Sequence, residues 1–429
     1  MTDISFVRQE MLPEREPPAS TIGAVGWARE NLFKGPWNSL TTAICLLIIV
    51  YLVVGLISYM LSPTWAATSL AECREMAGTD HGKACWGVIR DRWFQLLFGF
   101  YPVGSVWRPI LAFILLIAAL APVLFSTVDR RLLYLTAAFP FIMPWLLWGG
   151  TIWGPIIAAL GFVIGFYVYK FAEPVLGGLA AIVLAPLAAI IWWLFLAGPI
   201  AGGLSSAIGI GLEPVASRDF GGFMLSITIG VVAIACSLPL GIVLALGRQS
   251  NLFIVKSLCV GFIEFIRGVP LITLLFVAST LLNIFMPPGT NFDIILRVMI
   301  MATLFSAAYM AEVIRGGLAA LPKGQYEGAD SLGLDYWQAQ RLIIMPQALK
   351  ISIPGIVSTF IGMFKDTTLV SVIGLLDPLG VSTAIRSNQE WSGVVWELYG
   401  FVALLFFVFC FTMSRYSMYL ERKLQTGHR

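Results

Sequence analysis

Long apolar runs separated by short polar stretches organise this chain from about residue 39 to residue 418. A helix needs about 20 apolar residues to cross the hydrocarbon core of a bilayer, and on that rule the pattern predicts ten spans. They cover 39–61, 109–126, 132–148, 153–169, 178–201, 220–247, 258–285, 294–318, 351–376 and 394–418. The third and fourth are short enough to be read together as one re-entrant hairpin, and a count of eight would also return both ends of the chain to one side. The runs are continuous rather than alternating, which excludes a transmembrane β-barrel. The expected class is therefore all-α, a polytopic helical membrane protein.

Composition agrees with the pattern. At 58% hydrophobic and 12% charged residues, with a mean hydropathy of +0.86, the chain has too little charge to keep a soluble surface of 429 residues in water. The first apolar run begins too late and runs too long for a secretory signal and is expected to stay as an anchor. A net charge of +3 leaves no nucleic-acid footprint. Lys and Arg collect on one side of the predicted spans, sixteen against eight, with three more inside spans. Short loops rich in these residues stay cytoplasmic, so both termini are placed inside.

The cysteines divide by environment. Cys45, Cys236, Cys259 and Cys410 fall in apolar runs, where free cysteine packs as a small hydrophobe. Cys73 and Cys85 lie in the long external loop 62–108, where an oxidising compartment favours a disulfide. With only His81 between them, they are too few for a zinc site, and no metal is expected. Trp37, Trp107, Trp148, Trp153 and Trp391 stand at span ends, the usual place for indoles at the membrane interface.

One polar, amphipathic insertion interrupts the apolar pattern at 321–349. A short helix is expected over 327–332, a break at Gly333, a second helix from Tyr336, and an end at Pro346. The motif Glu327-Gly328-Ala329, three residues, Gly333, nine residues, Ile343-Ile344-Met345-Pro346 resembles the docking-loop signature of ABC transporter permeases. Gly328 and Met345 replace the family's Ala and Leu. Further stretches resemble the polar amino-acid permeases: Leu244-Ala245-Leu246-Gly247-Arg248-Gln249-Ser250, Glu264-Phe265-Ile266-Arg267-Gly268-Val269-Pro270-Leu271, Ala307 to Gly317, Pro346-Gln347-Ala348-Leu349, and Lys365-Asp366-Thr367-Thr368 onward to Gly374. The long N-terminal part makes the permeases of general L-amino-acid systems the nearest resemblance.

That resemblance implies an ABC importer permease core in the C-terminal half and a division into 1–38 (cytoplasmic tail), 39–218 (transmembrane extension), 219–420 (core, with docking loop 321–350) and 421–429 (tail). It implies that Gln325, Glu327, Ala329, Gly333 and Leu334 meet an ABC ATPase, with a small residue at 329 letting it approach. It also implies a pair of ATPase subunits, a periplasmic amino-acid-binding protein, a second permease that is homologous or identical, and a lipid environment in a bacterial inner membrane. The chain has no Gly-x-x-x-x-Gly-Lys-Ser/Thr, so it is expected to bind no cofactor itself, ATP and Mg being used by the partner.

Charges inside spans are expensive and mark functional candidates. Glu264 and Arg267, and Glu312 and Arg315, are spaced three apart, so each pair is expected to meet on one helical face, about 12 Å from the cytoplasmic ends. Together they form a candidate cluster across helices, or two self-satisfied pairs. Lys365 and Asp366 are adjacent, point about 100° apart on a helix and need other partners. A substrate carboxylate on Lys365 and ammonium on Asp366, with Thr367 and Thr368 as neutral donors, is one reading; a structural lock is the other. An ion-gradient-driven secondary transporter is the competing function, against which the cytoplasmic docking loop stands. A membrane enzyme lacks its constellation, since His81 and His428 both fall outside the spans.

Overall fold

The computed structural model describes residues 23–78, 83–281, 284 and 293–425. Asp80, His81, His428 and the first 22 residues lie outside the described residues. Residues up to Gly87 form one compact unit and residues from Val88 a second.

In the first unit, α1 (Gly23–Asn31) precedes α2 (Pro36–Met60). Pro36 opens α2 where its missing N–H costs nothing, and its 25 residues carry no charge and none of them is buried. Such a helix is stable only where lipid, not water, surrounds it. The loop expected to follow is itself folded: α3 (Leu70–Ala77) is capped by Ser69, whose hydroxyl accepts from the Glu72 amide. Cys73 and Cys85 are joined in a disulfide with their Cα atoms 5.8 Å apart, and Trp65 stacks on Trp86.

The second unit starts within α4 (Gly87–Phe98), which makes a further stretch of the external loop helical. It continues through α5 (Trp107–Leu124), α6 (Leu133–Trp148), α7 (Trp153–Leu176), and α8 (Gly178–Ile191) joined by a π turn to α9 (Ala197–Ala207). Helices α6 and α7 belong to separate candidate spans of 19 and 24 residues, each long and apolar enough to cross by itself.

The core holds α10 (Gly222–Gln249), α11 (Phe253–Gly268), α12 (Leu271–Phe276), α13 (Ile294–Ala319), α14 (Lys323–Ser331), α15 (Tyr336–Ala339), α16 (Met345–Asp366), α17 (Pro378–Arg386) and α18 (Trp396–Gln425). Helix α18 carries the chain past the expected start of the tail at 421.

Helix α13 is the centre of the core. Its inward face is small, with Ala302, Ser306, Ala307, Ala308, Ala311 and Gly317 all buried, and small residues let apolar helices approach closely without a hydrophobic drive between them. Contact is tight on both sides: a methyl group on Gly241 would meet Met310 at 2.7 Å, and one on Gly355 would meet Val313 at 2.7 Å.

Nine helices among the described residues are long and apolar enough to span, or ten if a bent pair counts as one. That pair corrects the seventh predicted span. Rather than one rod over 258–285, α11 and the segment from Leu271 to Thr280 meet at 101°, with Pro270 at the corner, where it supplies no amide and cannot continue the helix.

Candidate functional site

Three guanidinium groups of the core gather on one acceptor. Glu312 on α13, 16% exposed, accepts from Arg248 of α10 at 2.5 Å and from Arg315 at 3.0 Å, and Arg267 of α11 stands 3.8 Å away. Arg267 also lies over the Tyr309 ring at 5.5 Å, a cation–π contact. The cross-helix cluster of the sequence reading is therefore formed, but with a different pairing. Glu264 does not meet Arg267 on their shared helix; it pairs with Arg248 at 3.0 Å. Arg248 comes from the last turn of α10, and depth counted along a straight span does not apply next to the corner after Gly268. The Arg248 side chain bonds carboxylates on two other helices, Glu264 on α11 and Glu312 on α13, which residue spacing does not reveal.

Lys365 and Asp366 sit at the end of α16, where the α-helix passes into a 3-10 turn over Thr367–Ile373 that ends at Gly374 with φ +86°. Lys365 is exposed and Asp366 half-buried. Among the described residues neither side chain has an ion-pair partner within 4 Å. The threonines differ from expectation. Thr367 is buried and its hydroxyl donates to the Phe364 carbonyl at 2.7 Å, while Thr368 donates to the Lys365 carbonyl at 2.9 Å. Both donors are spent on the backbone, so they can offer a ligand only their oxygen lone pairs.

The cytoplasmic segment forms two short helices around Gly333, which takes φ +69°, a conformation that glycine adopts without strain. Asp335 then caps α15 in a capping box with Gln338. Pro346 does not end the helix as expected. A π turn over Gln340–Ile344 precedes it and α16 runs on, the wider turn making room for a ring that would strike a carbonyl four residues back.

Of the expected docking residues, Glu327 and Gly333 are exposed and Leu334 is half-buried. Ala329 is not presented to a partner: at 1% exposure it packs beneath the segment. Gln325 is engaged internally, accepting from Gln347 at 2.9 Å. The surface instead shows Leu332, Tyr336 and Trp337 at 73, 53 and 68% exposure, with the two aromatic rings edge-on at 5.3 Å. Three large apolar residues inside a polar loop were the overlooked signal.

Residues 237–426 match the profile of the family described as binding-protein-dependent transport system inner membrane component. Over the whole of both chains the sequence is 59% identical to the glutamate/glutamine/aspartate/asparagine transport system permease protein BztC of Rhodobacter capsulatus. This chain is an amino-acid ABC transporter permease. The permease is also 39% identical to the inner membrane amino-acid ABC transporter permease protein YhdY of Escherichia coli, over 97% of each chain. A crystal structure of an amino acid ABC transporter with histidines is 32% identical, with a TM-score of 0.42, over 47% of this chain and 91% of that one. Family membership makes the permease the membrane component of an amino-acid importer rather than an enzyme, with ATPase and binding-protein partners. It removes the secondary-transporter alternative.

Proposed function

We propose that this permease carries acidic amino acids and their amides into the cell, holding the α-carboxylate on Lys365 and the α-ammonium on Asp366. The observation that carries the reading is the position of these adjacent, unpaired charges where α16 changes geometry, since transport sites favour interrupted helices near the midplane. The Rhodobacter relative is named for glutamate, glutamine, aspartate and asparagine. Those four share the α-amino and α-carboxyl groups and differ beyond them, so a Lys–Asp pair that reads the shared part fits such a range.

In this reading the Glu312 cluster ties α10, α11 and α13 together near the cytoplasmic side and changes partners as the path alternates. Glu327, Leu332, Gly333, Tyr336 and Trp337 face the ATPase, and Gln325, Ala329 and Leu334 shape that face from within. A homologous second permease completes the path. Both termini are cytoplasmic, as the Lys and Arg distribution supports, with 39–218 as extension and 219–420 as core.

The test is Lys365→Met in the complete reconstituted transporter. A charge-assisted contact is worth about 1.5 to 3 kcal/mol, so uptake should fall by at least tenfold while ATPase co-purification and basal hydrolysis persist. Uptake at the native level by a well-assembled variant overturns the substrate role, and poor assembly instead identifies a structural lock.

A further inference from the structure

Between the extension and the core lies a cavity of about 270 Å³, walled by α5, α6, α10 and α18 and by Leu97 and Phe98 at the end of α4. Ala112, Leu116, Met143, Met224, Ile227 and Phe409 are among the residues that line it. The wall is apolar. The hydroxyl of Thr228, which also lines it, donates to the Met224 carbonyl at 2.8 Å, so its side chains offer an amino acid no donor for the carboxylate and a single hydroxyl oxygen for the ammonium. Filling it with water is equally disfavoured, because a cavity water needs two to four polar partners. Its volume is many times the roughly 10 to 15 Å³ of such space that one water needs, which suits part of one hydrocarbon chain.

Its depth points the same way. The lining begins at Pro109 and Ile110 in the first turn of α5, at Phe223 and Met224 in the first turn of α10, and at Leu147 near the end of α6. It reaches Leu116, nine residues into α5, or about 14 Å at 1.5 Å per residue. One leaflet of the hydrocarbon core is about 15 Å deep. Ile110, 46% exposed, stands at the rim, with Trp107, 50% exposed, beside it at headgroup level.

We propose that this cavity is a lipid site that takes one acyl chain of a phospholipid from the leaflet on the side of Trp107, packed between the extension and the permease core. With the orientation given above, that leaflet is the periplasmic one.

The experiment reconstitutes the complete transporter in vesicles of phosphatidylethanolamine carrying a diazirine midway along one acyl chain, and maps adducts after illumination by mass spectrometry. Adducts are expected on peptides containing Met143, Met224 and Leu116, besides the general labelling of α2, none of whose residues is buried. Ala112→Phe, which fills the cavity from α5, should reduce the lining adducts at least tenfold and leave α2 labelling as in the native protein. Native-protein adducts confined to exposed helix faces overturn the site, and so does unchanged lining label in a folded Ala112→Phe variant. If Ala112→Phe does not fold, Ile227→Phe fills the opposite wall and is judged by the same ratio. Cross-linking of these residues to the second permease instead of to lipid also overturns it.

Discussion

Replacing Glu312 with Gln removes the charge on which three guanidinium groups converge while keeping nearly the same shape. In the native permease one carboxylate oxygen accepts from Arg248 at 2.5 Å and the other from Arg315 at 3.0 Å, with Arg267 at 3.8 Å. Charge-assisted hydrogen bonds contribute about 1.5 to 3 kcal/mol each, and removing one member of a buried ion pair costs about 3 to 5 kcal/mol because the remaining charge is left uncompensated. Arg315 and Arg267 are 43 and 34% exposed, so water screens part of their share. The Arg248 contact carries most of the effect, and because Arg248 keeps Glu264 at 3.0 Å as a second partner, the expected loss stays at about 1.5 to 3 kcal/mol. The assay is chemical denaturation of the purified permease in mixed micelles for Glu312→Gln, Arg248→Gln and the double variant. A shared contact predicts strong non-additivity, with the double variant losing little more than the worse single one. Additive losses, or a Glu312→Gln protein as stable as the native one, would refute the hub.

Three further outcomes are expected. Gly333→Val forces a β-branched residue to φ +69°, a cost of about 1 to 3 kcal/mol; nothing lies within 4 Å of the added carbon, so ATPase co-purification should fall while the membrane core keeps its melting temperature, and unimpaired association would reject the docking role. Cys73 and Cys85 should be recovered as a disulfide by mass spectrometry of fresh membranes, and finding both thiols free would remove the bond and the periplasmic placement of their loop. Asp377 caps α17 and is fully buried; burial raises its pKa from 3.8 to about 6 against the pull of the Gly380 and Leu379 amides. The folded state therefore holds this proton more tightly than the unfolded chain, so stability is greatest below pH 4 for this group and declines as pH rises through 6, by about 3 kcal/mol at 1.36 kcal/mol per unit. Asp377→Asn should flatten the change in melting temperature between pH 4 and 7, and an unchanged slope would count against the buried carboxyl.

Periodicity and composition made the spans legible because an apolar run of bilayer length has few alternatives to a helix. The bend at Pro270 was written in the same residues, but hydropathy averages over a proline and returns a single rod. Charge spacing also predicted more than it could specify. Glu264 and Arg267 are well placed for one helical face, yet the guanidinium of Arg248 is long enough to come from the neighbouring helix and take Glu264 instead. The docking segment shows the complementary failure. Its motif located the loop, while burial separated the residues that shape it, such as Ala329, from those that face outward, such as Trp337, and burial is a property of packing that no motif states.

The beginning of the transport motifs near residue 219 is not a break in packing. Gly99 lies against Phe220 and Gly221 with room for no side chain, and a methyl group there would meet the Gly221 Cα at 2.3 Å. Phe220 stacks on Trp148 of α6, with ring centroids 4.5 Å apart. Farther along, the Trp391 indole, wholly buried, donates to Asp91 of α4 at 2.9 Å, and Arg92 pairs with Glu390 at 2.7 Å. Shorter relatives such as the probable glutamine permease GlnM of Bacillus subtilis match only 48% of this chain. What residues 88–218 add is therefore an external helix and a set of spans whose buried contacts the core shares. Motif position describes where transport chemistry starts, whereas these contacts make α4 to α6 part of the same folded body.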